Sequence, residues 1–279
     1  MLNINLWDNT FVHLKNDEGD FSMVHGKTQN SLKYEYRKTN YDGISIFTDN
    51  FLNPMYIKSV QSRTKIGWII ERREINQTPF VLVDNYIKDL DILMTNDADL
   101  LNKYPDKCRF VPFGGSWIKE DNYKIFEKPK SISMIYSNKI GRLPGYDIRH
   151  RAAPLLKETV DLYGTGANRF IKTKEEGLID YRYSIVIENV KVQNYFTEKI
   201  LDCFCVGTIP IYWGCPNIGD FFDTNGIITF NTIDELKKIV DTIEDNNITL
   251  ESITNNLNKS KLYDVTENWI YENILKGLA

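Results

Sequence analysis

An acid and a base stand side by side at Glu198-Lys199, inside the stretch YFTEKILDCFCVG and shortly after the polar pair Glu188-Asn189. The chemistry open to them depends on where a helix begins. In a first helical turn the free backbone N–H groups and the positive end of the macrodipole favour an anion, and a lysine there adds a full charge. A carboxylate beside a phosphate repels it. Its natural task is to accept hydrogen bonds from a vicinal diol, such as the 2′ and 3′ hydroxyls of a ribose. Together Glu198 and Lys199 suit a nucleotide diphosphate.

The elements that must position this pair are legible on either side. Ser184-Ile185-Val186-Ile187 is a short, β-branched apolar run, which predicts a strand ending at Glu188-Asn189. A buried parallel strand that ends in a carboxylate and an amide delivers polar groups to the rim where α/β sheets bind ligands. Asn194 is the expected cap of the following helix, with Phe196, Ile200 and Phe204 as its buried stripe and Gly207 as its stop. Thr208 to Gly214 predicts a second strand and completes a right-handed βαβ unit.

Two further patterns have a structural reading beside the chemical one. Asp97-Ala98-Asp99 has the DxD spacing that can hold a divalent cation, but Asp97 also precedes Leu100-Leu101 as an ordinary helix cap, so no metal site is expected. Tyr163-Gly164-Thr165-Gly166 follows a strand pattern, and its glycines either let backbone approach a ligand or simply turn the chain.

Composition excludes several classes. With 279 residues the chain is long enough for two domains, each with its own core. Hydrophobic content of 42% and charged content of 26% describe a globular protein, and a formal net charge of −4 argues against a general nucleic-acid binder. No apolar run is long enough to span a bilayer, and Met1 to Asp8 lacks the basic and apolar regions of a secretion signal, so a cytoplasmic protein is expected. Cys108, Cys203, Cys205 and Cys215 contain no CxxC pair. Cys203 and Cys205, two apart on a predicted helix, cannot share a metal, so reduced thiols are expected.

Along the chain, Ile4 to Trp7, Ile44 to Thr48, Lys65 to Ile70 and Ile92 to Thr95 read as strands, the third ending at Glu71, and Phe110 to Pro112 as a short strand-like segment. Helices are expected from Asn53-Pro54 to Ser62, from Thr78 to Asp89 and from Asp97. Residues 13 to 40 read as loops with at most one short element. The charged stretch Lys119 to Lys130 suits a linker. A second alternating series follows: strands at Ile132 to Tyr136 and Val160 to Tyr163, a helix from Asp147 to Thr159, and a capping box at Thr232-Ile233-Asp234-Glu235. Leu250 to Leu278 reads as helical, with Trp269 and Tyr271 as packing anchors. The expected organisation is residues 1–118, a linker at 119–130, and residues 131–279 with C-terminal helices.

The residues at the centre of this pattern resemble a known family. Ile187-Glu188-Asn189, Tyr195-Phe196-Thr197-Glu198-Lys199 and Ile209-Pro210-Ile211-Tyr212-Trp213-Gly214, at their fixed spacing, are similar to the signature of glycosyltransferase family 10, the α1,3/α1,4-fucosyltransferases, with bacterial or viral members nearest. The likeness is dense over roughly fifty residues, extends weakly to Ile132 and thins before it.

The resemblance implies an α/β GT-B fold, two Rossmann-like domains facing an interdomain cleft, with the acceptor on the N-terminal domain and the nucleotide-sugar donor on the C-terminal one. It implies an inverting transfer of fucose from GDP-β-L-fucose to a glycan hydroxyl on an N-acetylglucosamine or glucose unit. Donor contacts would come from Ser137, Asn138, Arg149, Asn189, Tyr195, Glu198 and Lys199, although an insertion between Asn138 and Arg149 leaves Arg142 and Arg151 open as the phosphate ligand. Lys199 and Arg149 would stabilise the departing GDP without an obligatory metal or other cofactor. The general base would be Glu71, with Glu74 as backup. The alternatives are a related transferase with another nucleotide-sugar donor and a catalytically dead glycan-binding protein.

Overall fold

The structure is a computed structural model that describes residues 1–9, 29–243 and 247–278. It divides into two compact units, Met1–Phe113 with Val265–Ala279, and Gly114–Asp264. Each is a parallel sheet with apolar residues on both faces, the arrangement that continuous apolar strands demand.

In the first unit the strands are β1 (Leu2–Trp7), β2 (Leu32–Tyr36), β3 (Asn40–Thr48), β4 (Gln61–Trp68), β5 (Ile92–Thr95) and β6 (Cys108–Phe110). Their order is β2-β1-β3-β4-β5-β6, every pairing parallel. The chain leaves β1 toward β2 on one side and resumes with β3 on the other, so the topological switch lies between β1 and β3. The edge strand β2 falls in the region that reads as loop, although Leu32-Lys33-Tyr34-Glu35-Tyr36 alternates apolar and polar residues as a short half-buried strand does. Helices α1 (Pro54–Ser59), α2 (Thr78–Val81), α3 (Val83–Tyr86) and α4 (Ala98–Lys103) connect the strands. Asn53 caps α1, its side chain accepting the Met55 N–H at 2.9 Å, with Pro54 in the first turn as expected. The helix expected from Thr78 to Asp89 is broken into α2, α3 and a 3-10 turn.

In the second unit β7 (Lys130–Ile135), β8 (Asp161–Tyr163), β9 (Tyr181–Ile187), β10 (Ile209–Trp213) and β11 (Ile228–Thr229) lie in the order β11-β10-β9-β7-β8, again all parallel. Here the switch is between β7 and β9. Helices α5 (Pro144–Leu156) and α7 (Ile233–Asp241) pack on one face over Ile132, Met134, Ile185, Ile187 and Ile211. Helix α6 (Glu198–Cys205) covers the other, where Phe196, Ile200, Phe204, Tyr212 and Phe222 are buried, and α8 (Leu250–Ser260) packs on α6, Ser260 Oγ lying 3.5 Å from Cys205 Sγ. The Thr232–Glu235 capping box on α7 is present. All four cysteines are free and buried.

Two expectations about organisation are corrected. The stretch expected as a linker, 119–130, belongs to the second unit, which begins at Gly114: Lys119 N–H donates to Glu175 and Lys128 Nζ donates to the carbonyls of Ile179 and Val206, each at 2.8 Å. Residues 265–279 belong to the first unit. Helix α9 (Thr266–Ile270) and the turn Tyr271–Leu275 place Ile270 and Leu275, both fully buried, against Ile4, Ile44, Ile66 and Met94. That sheet face needs a cover distinct from the one on which Ile57, Val83 and Tyr86 pack, and the C-terminal segment supplies it. Trp269 and Tyr271 are the packing residues expected.

Candidate active site

The C-terminal rim of the second sheet gathers most of the residues singled out above. Helix α6 starts at Glu198, so Glu198 and Lys199 do occupy its first turn. The cap is Thr197 and not Asn194: the Thr197 side chain accepts from the Lys199 N–H, whereas Asn194 has a φ of +64° and lies outside the helix. Asn194 and Thr197 are both good cap residues, and the sequence cannot choose between them. The choice is made by Glu188, whose carboxylate takes the Thr197 N–H at 2.9 Å and the Thr197 hydroxyl at 2.8 Å, fixing where the turn begins.

Glu188 is fully buried at the end of β9. Besides Thr197 it meets the Lys199 ammonium at 3.3 Å, and Glu198 meets the same ammonium at 3.2 Å. Burial pushes the Glu188 carboxyl up, opposed by Lys199. The two carboxylates hold Lys199 above its ordinary range, so it is charged at any pH near neutrality. Sequence reading left Glu188 without a structural task, although a carboxylate at a buried strand end already called for a cation.

Arg149 reaches the same corner from α5. The helix begins at Pro144, and Gly145 packs so tightly on the end of β9 that a β-carbon would fall 1.8 Å from the Glu188 carbonyl oxygen. Gly145 N–H donates to the Asn189 carbonyl at 3.0 Å. One turn later the Arg149 guanidinium donates to the Ile187 carbonyl and, at 3.0 Å, to the Asn189 side-chain oxygen. It is 6% exposed, which removes the reading of a solvated basic face. Among the described residues its direct polar partners are neutral, and desolvation pushes its pKa below the usual arginine value. Arg142 and Arg151 are exposed, and Arg151 pairs with Asp147 at 3.2 Å. Tyr195 is 3% exposed and lies near Arg149 and Lys199. Its place is in the wall of the site, not on an open face.

Ser137 and Asn138 sit just past β7. Asn138 N–H donates to Thr165 Oγ1 at 2.9 Å, tying this loop to the one after β8. Gly164, with a φ of +93°, and Gly166 serve the same closure, Gly166 N–H reaching the Tyr136 carbonyl at 3.1 Å, so the GxG turns the chain against β7. His150 is a neighbour, edge-on to Tyr136.

On the first unit carboxylates and arginines share the loops after β4 and β5. Glu71 lies three residues beyond β4, which ends at Trp68 and not at Glu71 as expected. The backbone N–H groups of Ile70 and Glu71 both point to Asp49 Oδ1, at 3.0 and 3.4 Å. Asp49 is fully buried, its other oxygen has no hydrogen-bond partner among the described residues, and burial pushes its carboxyl up to about 7, with Glu71 and Asp8 adding to the rise. Glu74 is ion-paired with Arg72 at 3.4 Å. Asp97 caps α4 as expected and is clasped by Arg72 and Arg73, at 3.1 and 2.6 Å, which commits the first carboxylate of the DxD to structure. Among the described residues no three His, Cys, Asp or Glu side chains converge to hold a metal, and no helix is long and apolar enough to cross a membrane.

Residues 127–265, which carry α6, Glu188 and Arg149, match the family model described as glycosyltransferase family 10 (fucosyltransferase) C-term. The chain belongs to glycosyltransferase family 10. Among curated family 10 relatives, the α-(1,3)-fucosyltransferase FucT of Helicobacter pylori is 25% identical over 206 residues, 71% of this chain and 38% of that protein. The chain thus spans less than half of the curated relatives it matches. The crystal structure of α1,3-fucosyltransferase with GDP overlays with a TM-score of 0.58 at 16% identity, covering 99% of this chain and 88% of that one. Anabaena Alr3699/HepE in complex with UDP and glucose overlays with a TM-score of 0.66 at 11% identity, covering 100% and 99%. These likenesses show the α/β GT-B fold expected from the sequence.

Proposed function

We propose that this family 10 chain is a cytoplasmic glycosyltransferase that moves fucose from GDP-β-L-fucose to a hydroxyl of a glycan, on an N-acetylglucosamine or glucose unit, with inversion and without an obligatory metal. The observation that carries the reading is the first turn of α6: Lys199, held charged by Glu188 and Glu198, beside the buried Arg149. The fucose and the guanine rest on the family, on the H. pylori relative's name and on the GDP in the solved fucosyltransferase.

On this reading the acceptor hydroxyl gives its proton to Glu71, with Glu74 as the reserve base, and its oxygen forms a bond to the anomeric carbon. The bond from that carbon to the β-phosphate oxygen breaks, and its electron pair leaves on GDP. Lys199, Arg149 and the N–H groups of the first turn of α6 stabilise the charge that develops. Glu198, now on Lys199, would accept both hydroxyls of a ribose diol. Exchanging one for the other would free the ammonium for phosphate only when a nucleotide is bound, and a free phosphate would be held less well. Asn189 orients Arg149, while Ser137 and Asn138 lie at the neighbouring strand end.

The test is calorimetric titration with GDP, UDP and CMP, each with EDTA and then Mg²⁺, on the wild type and on Lys199→Ala, followed by a transfer assay with GDP-fucose. Selective GDP binding without metal, lost in the variant, is expected. A preference for UDP, or a strict need for Mg²⁺, overturns the donor assignment; no nucleotide binding at all favours a glycan-binding protein.

A further inference from the structure

Asp49 carries two costs that its own packing does not require. It follows β3 with a φ of +30°, a region that side chains other than asparagine and aspartate rarely enter. It is also fully buried, with one carboxylate oxygen lacking a hydrogen-bond partner among the described residues. A glycine would avoid the first cost and an apolar residue the second.

What Asp49 secures lies on the neighbouring strand. Its Oδ1 accepts the Ile70 N–H at 3.0 Å and, more loosely, the Glu71 N–H at 3.4 Å, just beyond the end of β4. The next side chain, Asn50, accepts from Asn76 Nδ2 at 3.1 Å. The turn after β3 thus holds the loop after β4 at both ends. From the far side Arg72 pins the same loop to the end of β5, its guanidinium reaching Asp97 at 3.1 Å and Asn96 at 3.4 Å. The Arg72 carbonyl closes the loop by accepting the N–H groups of Ile75 and Asn76, each at 2.9 Å. Glu71 stands between these anchors, its own peptide on Asp49 and the following residue on Asp97, so its backbone has little freedom.

We infer that Asp49 is a positioning residue for the transfer reaction: its carboxylate fixes the peptide at Ile70-Glu71 and so aims Glu71 at the acceptor hydroxyl. The inference rests on the reading of Glu71 as the base, and its test separates the two. The charge on Asp49 also matters to the hold. Ionisation turns both contacts into charge-assisted hydrogen bonds. Among the described residues Asp8 and Glu71 are the charged groups facing Asp49, and Tyr86 of α3 faces it with a phenol kept neutral by burial. Burial holds the Asp49 carboxyl up to about 7, so the grip on Glu71 tightens as pH rises through that value.

Transfer kinetics are measured for wild type, Asp49→Ala, Asp49→Asn, Glu71→Gln and the double variant Asp49→Ala/Glu71→Gln, with melting curves to confirm folding. Asp49→Ala should lower kcat about 10–100-fold, the cost of misplacing a reacting group by about an ångström, with the KM for GDP-fucose within about twofold. Asp49→Asn, which keeps the acceptor and tolerates the positive φ, should restore kcat to within about fivefold of wild type. In the double variant the loss of Asp49 should cost no more than about twofold beyond Glu71→Gln, because a residue that acts through Glu71 has nothing left to position. A full additional loss in the double variant overturns the inference, by making Asp49 a part of the fold alone. Wild-type kcat in a folded Asp49→Ala also overturns it and leaves Glu71 standing as the base. Wild-type activity in Glu71→Gln, or no transfer by the wild type, overturns both. If Asp49→Ala does not fold, the pH profile of Asp49→Asn decides: between pH 6 and pH 8 the wild-type kcat should gain about threefold on that of the variant, and the same profile in both overturns the inference.

Discussion

The two sheets differ in how a charge buried at the strand ends is compensated. On the second unit the cations proposed for the donor are tied to opposite charges or dipoles: Lys199 to Glu188 and Glu198, Arg149 to the Ile187 carbonyl and the Asn189 amide. On the first unit Asp49 is buried with two backbone N–H donors and, among the described residues, no cation, and burial pushes its carboxyl up to about 7, while Glu71 lies in the neighbouring loop after β4. Fixed cations suit a site that must hold a phosphate through a reaction. A buried carboxyl without a cation rises toward neutrality instead. The same sheet topology, with its switch point next to the first strand, supports both, because the chemistry is set by what each loop carries past the strand end.

The contrast breaks first at Glu71. Glu71→Gln should lower fucosyl transfer by roughly 10²–10⁴-fold while GDP affinity stays within twofold, whereas Glu74→Gln, changing a residue already paired with Arg72, should cost under tenfold. Equal activity in both variants would remove the proton-acceptor role from this rim.

Lys199→Ala comes next. GDP binding should weaken by about 10–100-fold, the worth of a charged hydrogen bond. The variant should also be less stable by up to about 3–5 kcal/mol, because Glu188 is left buried without its cation. Adding Glu188→Gln should return part of that stability and none of the binding, a double-mutant cycle that separates the fold from the site.

Arg149→Lys should weaken GDP binding about tenfold, since a lysine cannot keep the forked contact to Ile187 and Asn189 and still reach a phosphate. Arg142→Ala and Arg151→Ala, at exposed positions, should leave it within twofold.

The smallest expected effect sharpens the other side of the comparison. A carboxyl raised in the folded state binds its proton more tightly there than in the unfolded chain. Asp49 therefore contributes stability at acid pH that is lost as pH rises through about 7. Among the described residues Asp8 and Glu71 are the charges facing it, both carboxylates, and the Ile70 and Glu71 N–H groups only partly offset them. Asp49→Asn, which can still accept the Ile70 N–H, should raise the melting temperature by a few degrees at pH 8 and by less at pH 5. The opposite order would mean that Asp49 is ionised and satisfied.

The sequence alone determined the alternating strands and helices, the Asn53 and Asp97 caps, the Thr232 capping box, the presence of Glu198 and Lys199 in a first helical turn, and the family signature around them. All of these are local: a period, a cap or a short spacing decides each within a few residues. Tertiary structure decided what depends on partners far along the chain. It moved the cap from Asn194 to Thr197, because Glu188 from the preceding strand binds Thr197. It buried Arg149 at the corner beside Glu188 and left Arg142 and Arg151 exposed, because Gly145 lets α5 touch the end of β9. The C-terminal segment went to the first unit, since Ile270 and Leu275 bury on its sheet, and Trp117 lies along α6 through Asp202, 85 residues away. Apolar periodicity states that a face will be buried, but not against which element, and a carboxylate in a sequence does not name its cation. Those choices are made by long-range packing and by the cost of leaving a buried charge alone.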